Sequence, residues 1–471
     1  MCLLACGSHH SGGTIDSPFG GDVDACTGLA CFQYDCAVKN LPPTSVSGIV
    51  YAPNGTLPLY GVNVYVPASD PGPLPDGATC DQCSNGLLGG SLAMTTTDEA
   101  GHFELDDVPA TTDVPVVIQV GKWRRQLKLP AVAACQDLPV ATADTTLPKS
   151  RADLTPNTTS VDMPKVAIST GSADALECLM LKLGIDHTEI TNVAGGGRVN
   201  LFADTMSGGE GAKQFVSGWP GGSAATFDDS QSLWGQSSSL MPYDIVILSC
   251  EGGQYSNTKP QTAMNAMKSY ADIGGRVFAS HWHNIWIEGA TNPATNPATA
   301  PAVWPAIATW NNSGTTFNSP PNGTDPPDTI DEANNPKGMS FAKWMLNVGG
   351  SPPMMQDVVP IQQGKQTATG VDLMKAERWV YWQDGTTQYP QNFQFTTPNE
   401  MPSDQRCGKV VFSDMHVSSG STSGPGAAYP STCACGGAGD PQCNSPQAMT
   451  PQEKALAFMF FDIASCVSSI Q

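Results

Sequence analysis

Hydrophobic and polar positions change their period at Pro164. Before it, short stretches alternate or run apolar with β-branched residues, as in Ser47-Gly48-Ile49-Val50-Tyr51, Val62-Asn63-Val64-Tyr65-Val66, Val116-Val117-Ile118-Gln119-Val120 and Gln126-Leu127-Lys128-Leu129. Turn formers such as Pro53-Asn54-Gly55 separate them, which is the pattern of short β-strands. The pattern predicts a small all-β sandwich over residues 45–149 with a core of its own, followed by a polar Thr/Pro-containing linker over 150–163.

Beyond Pro164 the apolar run Lys165-Val166-Ala167-Ile168-Ser169-Thr170 is followed by Leu176, Leu179, Met180 and Leu183 at helical spacing, and Gly184 closes the segment. Tyr243-Asp244-Ile245-Val246-Ile247-Leu248-Ser249-Cys250 is nearly continuous in apolar residues, as expected of a strand buried on both faces. Residues 263–273 predict a helix stopped by Gly274-Gly275, and Arg276-Val277-Phe278-Ala279-Ser280 predicts the next strand. Strand, helix, strand with short joints implies a parallel sheet, hence an α/β domain over residues 164–471. Two insertions, about 206–240 and 286–335, are rich in Gly, Ser, Asn, Pro and Thr and read as long loops that either cover a site or pad the surface. Near the C-terminus Lys409 to Val417 reads as a late strand, and Thr450-Pro451-Gln452-Glu453 has the form of a capping box opening a helix through Ala464.

A length of 471 residues exceeds one compact core and fits two or three domains, at roughly 100–200 residues each. With 48 Gly, 39 Pro and 14% charged residues, the chain reads as a loop-rich, β-containing exported protein. A net charge of -21 opposes attraction to phosphate backbones, which argues against nucleic acid as a partner. Fifteen cysteines, many in loop-like surroundings, fit an oxidising compartment and a disulfide framework. Zinc is the competing reading, but Cys80-Asp81-Gln82-Cys83 lacks a matching second pair and Cys433-Ala434-Cys435 is spaced too tightly for a structural knuckle.

The opening residues Leu3-Leu4-Ala5-Cys6 resemble a bacterial lipobox. That resemblance implies a start upstream, acylation of Cys6, membrane attachment through that lipid, and a Cys/Gly-rich tether over the remainder of residues 1–44. Setting aside Cys2 and Cys6 leaves an odd number of cysteines, and Cys250, on an apolar strand, is the candidate for the unpaired one.

Two family resemblances add to these readings. Gly48-Ile49-Val50, Gly61-Val62-Asn63-Val64 and Thr97-Asp98-Glu99-Ala100-Gly101-His102-Phe103 resemble the carboxypeptidase regulatory-like family, which implies a transthyretin-like sandwich without peptidase residues. The strand ending at Cys250, Gly274-Gly275 through His281, and the late strand leading to His416 resemble the ThuA-like branch of the class I glutamine amidotransferase-like fold. That resemblance implies a flavodoxin-like α/β domain with His281 where amidotransferases carry their nucleophilic cysteine, so glutamine amidotransferase activity is not expected.

Candidate chemistry gathers at the predicted strand ends, where ligands collect in open α/β sheets. His281, Cys250, Glu251 and His416 are the catalytic candidates, while His283, Trp282, Trp286 and Asp414 are candidates to bind ligand. A thiol at Cys250 beside a histidine would be an activated nucleophile, and His281 with His283 would suit a divalent metal or acid and base work. Trp282 and Trp286 would suit stacking on a sugar ring, with core packing as the alternative. Two functions follow: an exported, lipid-anchored protein that binds or processes a carbohydrate-like or other small ligand, and a non-catalytic surface adhesion or scaffold protein.

Overall fold

A computed structural model describes residues 28–289, 302–304, 307–320, 323–416, 427–435 and 440–467. Cys6 lies outside them, and no described helix is long and apolar enough to cross a membrane. The chain is mixed and sheet-rich, with two main bodies of strands.

The first body holds β1 (Ser45–Ile49), β2 (Asn63–Val66), β3 (Ala93–Thr96), β4 (His102–Leu105), β5 (Thr112–Val120), β6 (Trp123–Ala131), β7 (Asp137–Pro139) and β8 (Thr158–Asp162). They form a three-stranded sheet, β4-β1-β7, and a five-stranded sheet, β3-β2-β5-β6-β8. The turn before β4 depends on Gly101, whose φ is +78° and whose position would put a Cβ 2.8 Å from the Val50 carbonyl oxygen. Residues 150–163, read as a linker, are in part structural: β8 pairs with β6, and Arg124 and Arg125 of β6 bind Asp162 and Asp153, each at 2.8 Å. The polar composition that suggested a linker belongs to an edge strand, Thr158–Asp162, and the turn before it, whose acids Asp162 and Asp153 pair with two buried guanidinium groups.

The second body is built on β9 (Val166–Thr170), β10 (Ile190–Thr191), β11 (Val199–Ala203), β12 (Ile245–Leu248) and β13 (Arg276–Ser280). It continues with β14 (Ala308–Phe317), β15 (Gly364–Val371), β16 (Glu377–Asp384), β17 (Thr387–Thr397) and β18 (Gly408–Ser413). Its main sheet runs β10-β11-β9-β12-β13-β18 with all neighbours parallel, then continues antiparallel through β17, β16 and the short strands Asp328–Ile330 and Val358–Val359. Alternate residues of the central strands feed opposite faces: Ile245 and Ile247 pack on one side, Val246 and Leu248 on the other. The helix Gln261–Asp272 covers the second side, whereas Pro451–Ala464, capped by Thr450 and Glu453, covers the first. The part of the second insertion that is described contributes β14, which pairs with β15.

The two bodies share their core. One cluster of buried apolar side chains extends from Val46 and Trp123 through Val166 to Phe460, with the Trp123 ring 5.4 Å from both Phe460 and Phe461. Disulfides Cys80–Cys407 and Cys83–Cys466 cross between them. The Cys-x-x-Cys pair is thus two bridges and no zinc knuckle. With Cys36–Cys135, Cys178–Cys433 and Cys435–Cys443 the described residues hold five such bonds, and Cys31 is disulfide-bonded as well. This framework fits an oxidising compartment.

Candidate functional site

Strands β12, β13 and β18 lie side by side in parallel register, Leu248 opposite Ala279 and Ser280 opposite Ser413, so the residues that follow them emerge at one sheet edge. Cys250, His281 and His416 meet there. Cys250 Sγ lies 3.4 Å from His281 Nδ1, and His416 Nε2 lies 3.0 Å from the same nitrogen. Their relative exposures are 0%, 2% and 5%, so the cluster is closed off from bulk water. Cys250 is the free cysteine among the described residues, as the odd count suggested.

The backbone is shaped for this meeting. His281 has φ of +42°, in the left-handed region that non-glycine residues seldom occupy, where β13 breaks into a short 3-10 turn, His281–Asn284. Gly171, after β9, would place a Cβ 2.2 Å from the Cys250 carbonyl oxygen, so only glycine admits this approach of the two strand ends. Gly252 N–H donates to Cys250 Sγ at 3.4 Å.

Burial dominates the electrostatics. It pushes the Cys250 thiol up to about 12, with Asp174 and Glu251 adding to the rise and the backbone N–H groups of Trp282 and Gly252 opposing it. Burial likewise holds His281 well below the ordinary imidazole range, with His416, Lys365 and His283 reinforcing the effect, and it lowers His416 to about 3, reinforced by Lys365. At neutral pH the cluster is a thiol and two neutral imidazoles.

The other candidates part from this cluster. His283, the candidate partner of His281 for a metal or acid–base work, is turned away from it by the 3-10 turn that ends the strand after Ser280. Its Nε2–H donates to the Ser249 carbonyl at 2.9 Å and its Nδ1 accepts from Trp286 Nε1 at 3.0 Å, so both nitrogens are occupied. Trp286, fully buried, is a core residue and unavailable to a sugar ring. Half-buried Trp282 keeps an edge to solvent, with its ring 4.7 Å from that of His281. Glu251 is engaged by a different partner: Lys259 Nζ lies 2.8 Å from its carboxylate and 3.4 Å from that of Asp204. Burial raises Glu251 to about 7, against the opposing pull of Lys259. Asp414 Oδ2 accepts from the N–H groups of Thr367 at 2.8 Å and Ala368 at 3.2 Å, tying β15 to the turn that carries His416. Burial pushes its carboxyl up to about 7.

Sequence reasoning missed three groups at this edge. Asp174, following β9, accepts from Ser280 Oγ at 2.6 Å; Asp204, following β11, joins Lys259; and Lys365 of β15 stands near the histidines. Applying the strand-end rule to Lys165–Thr170 would have found Asp174, but the strand before Asp204 was not recognised. Part of the second insertion does come over the site: a Cβ at Gly314 of β14 would lie 3.9 Å from the Trp282 ring.

No protein-family model matches the chain, and no curated protein matches it. Among solved structures, two type II cohesin–X-dockerin complexes from Acetivibrio cellulolyticus, an N-terminal and a C-terminal interface mutant, are similar to 33% and 30% of this chain. Identities are 19% and 20%, coverage of those chains 88% and 85%, and TM-scores 0.17 and 0.18, values at which the likeness carries no argument.

Proposed function

We propose that this is an exported protein, anchored through acylated Cys6, in which a carboxypeptidase regulatory-like sandwich supports a ThuA-like α/β unit that binds or processes a carbohydrate-like or other small ligand at His281. The order β11-β9-β12-β13-β18 supports the flavodoxin-like assignment, since it follows the doubly wound pattern with its switch point between β9 and β12. The observation that carries the functional reading is the convergence of buried polar groups on one edge. Asp204, Asp174, Cys250 with Glu251, His281, and Asp414 with His416 follow five adjacent parallel strands, and all are at most 5% exposed. Burying so many ionisable groups is costly, and a scaffold would have no use for gathering them at the ligand-collecting edge.

Burial of Cys250 and both histidines favours the alternative, a surface adhesion or scaffold protein whose α/β unit has lost its chemistry. The two separate in one experiment on the full chain: thermal-shift screening against mono- and disaccharides, with chromogenic glycosides, esters and amides assayed in parallel. A response abolished in His281→Ala and kept in His102→Ala, an exposed site on β4, supports the ligand-site reading. Absence of any response in the wild type, or its survival in His281→Ala, overturns it in favour of the scaffold.

A further inference from the structure

We propose that Cys250 Sγ, His281 Nδ1 and His416 Nε2 are the protein ligands of a tetrahedral divalent cation of the zinc type. Any catalytic use of that cation rests on the ligand-site reading above, whereas its binding rests on geometry alone. The three atoms lie within 4.8 Å of one another, with 3.4 Å from sulfur to Nδ1 and 3.0 Å from Nδ1 to Nε2. Around tetrahedral zinc, with Zn–S of about 2.3 Å and Zn–N of about 2.0–2.1 Å, neighbouring donors stand about 3.3–3.6 Å apart. The cluster therefore needs adjustments of a few tenths of an ångström in its two measured separations to enclose such an ion. Sulfur with two imidazoles is a donor set suited to zinc and poorly suited to calcium or magnesium.

The competing assignment for the same atoms is a nucleophilic thiol activated by His281. A base of that kind uses one ring nitrogen for the nucleophile and the other for an orienting partner. Here the thiol and His416 both address Nδ1, while Nε2 is buried with no hydrogen-bond partner among the described residues. One nitrogen cannot serve both neighbours through a single proton or lone pair, whereas a cation placed among the three atoms satisfies all of them. Metal binding at Nδ1 also fixes the ring proton on Nε2, leaving a buried donor free for a bound ligand. The surroundings resemble outer-shell support: Gly252 N–H donates to sulfur at 3.4 Å, and Asp414 braces the turn before His416. Three protein donors leave a fourth position for water or ligand, the arrangement of catalytic zinc sites.

The test is cobalt(II) titration of the metal-stripped, disulfide-intact full chain, followed by zinc competition. The expected result is one cobalt per chain, visible d–d bands of tetrahedral intensity, a thiolate-to-cobalt charge-transfer band, and bleaching by one equivalent of zinc. Cys250→Ser should lose the charge-transfer band, and His281→Ala and His416→Ala should each weaken binding at least tenfold. His102→Ala should bind as the wild type does. Wild-type protein that takes up no cobalt, or binds it without the charge-transfer band, overturns the proposal without reliance on any variant's folding. Metal uptake in a protein that responds to no small ligand would uphold the site and overturn the ligand-site reading; ligand binding abolished by His281→Ala without metal uptake would do the reverse.

Discussion

Glu177 illustrates how burial, more than charge pairing, sets the chemistry of single residues. It is fully buried, neither carboxylate oxygen is hydrogen-bonded to another of the described residues, and desolvation raises it from 4.5 to about 8, opposed by its own backbone N–H and reinforced by Asp174. Between those values the folded state holds a proton that the unfolded state has released, so stability falls as pH rises, by up to about 1.4 kcal/mol per pH unit. Glu177→Gln should remove that slope, gaining stability at pH 8 relative to wild type and little at pH 5, as read by urea unfolding at both values. A slope unchanged in the variant would place the proton elsewhere. The residues of the site were legible to different degrees for physical reasons. His281 stood out because Gly-Gly, strand and histidine come in sequence order, and Cys250 because the cysteine count was odd. The withdrawal of His283 was not legible, because it depends on a 3-10 turn that replaces the strand period after Ser280.

Among the elements, the strands and helices with strong periodicity were legible: β9, β12, β13 and β18, and the helices beginning at Gln261 and Pro451. The antiparallel extension through β16 and β17 was not, because Glu377–Asp384 and Thr387–Thr397 carry Glu, Arg, Gln and Asn at buried positions. The helix Pro451–Ala464 carries a further dependence. Glu453 completes its capping box by accepting from Thr450 N–H at 2.8 Å, and also receives Lys182 Nζ at 2.6 Å where both side chains are nearly inaccessible. Glu453→Ala should cost about 3–5 kcal/mol, because it strands a buried ammonium as well as losing the cap. Thr450→Ala should cost only about 1 kcal/mol. Equal losses in chemical denaturation would show that the ion pair contributes nothing beyond the cap.

At the scale of the molecule, the expectation of a self-sufficient sandwich over residues 45–149 meets two obstacles: β8 lies beyond that boundary, and Trp123 and Tyr60 pack on the C-terminal helix. Expressed alone, residues 28–163 should show loose tertiary structure and bind hydrophobic dye, whereas a cooperative, dye-free fragment would show that the shared core is dispensable. Replacing Cys80 and Cys407 by serine together should lower stability by about 2–5 kcal/mol, since the bridge spans 327 residues and ties the two bodies together. A melting temperature unaltered by the double substitution would contradict that role. That rigid frame holds three strand ends close enough for Cys250, His281 and His416 to meet. The most direct test of the site is anomalous X-ray diffraction at the zinc edge from crystals of the full chain grown with zinc. The expected result is a single strong peak within bonding distance of Cys250 Sγ, His281 Nδ1 and His416 Nε2. A map without a peak there, or with the three side chains turned to separate partners, would contradict it.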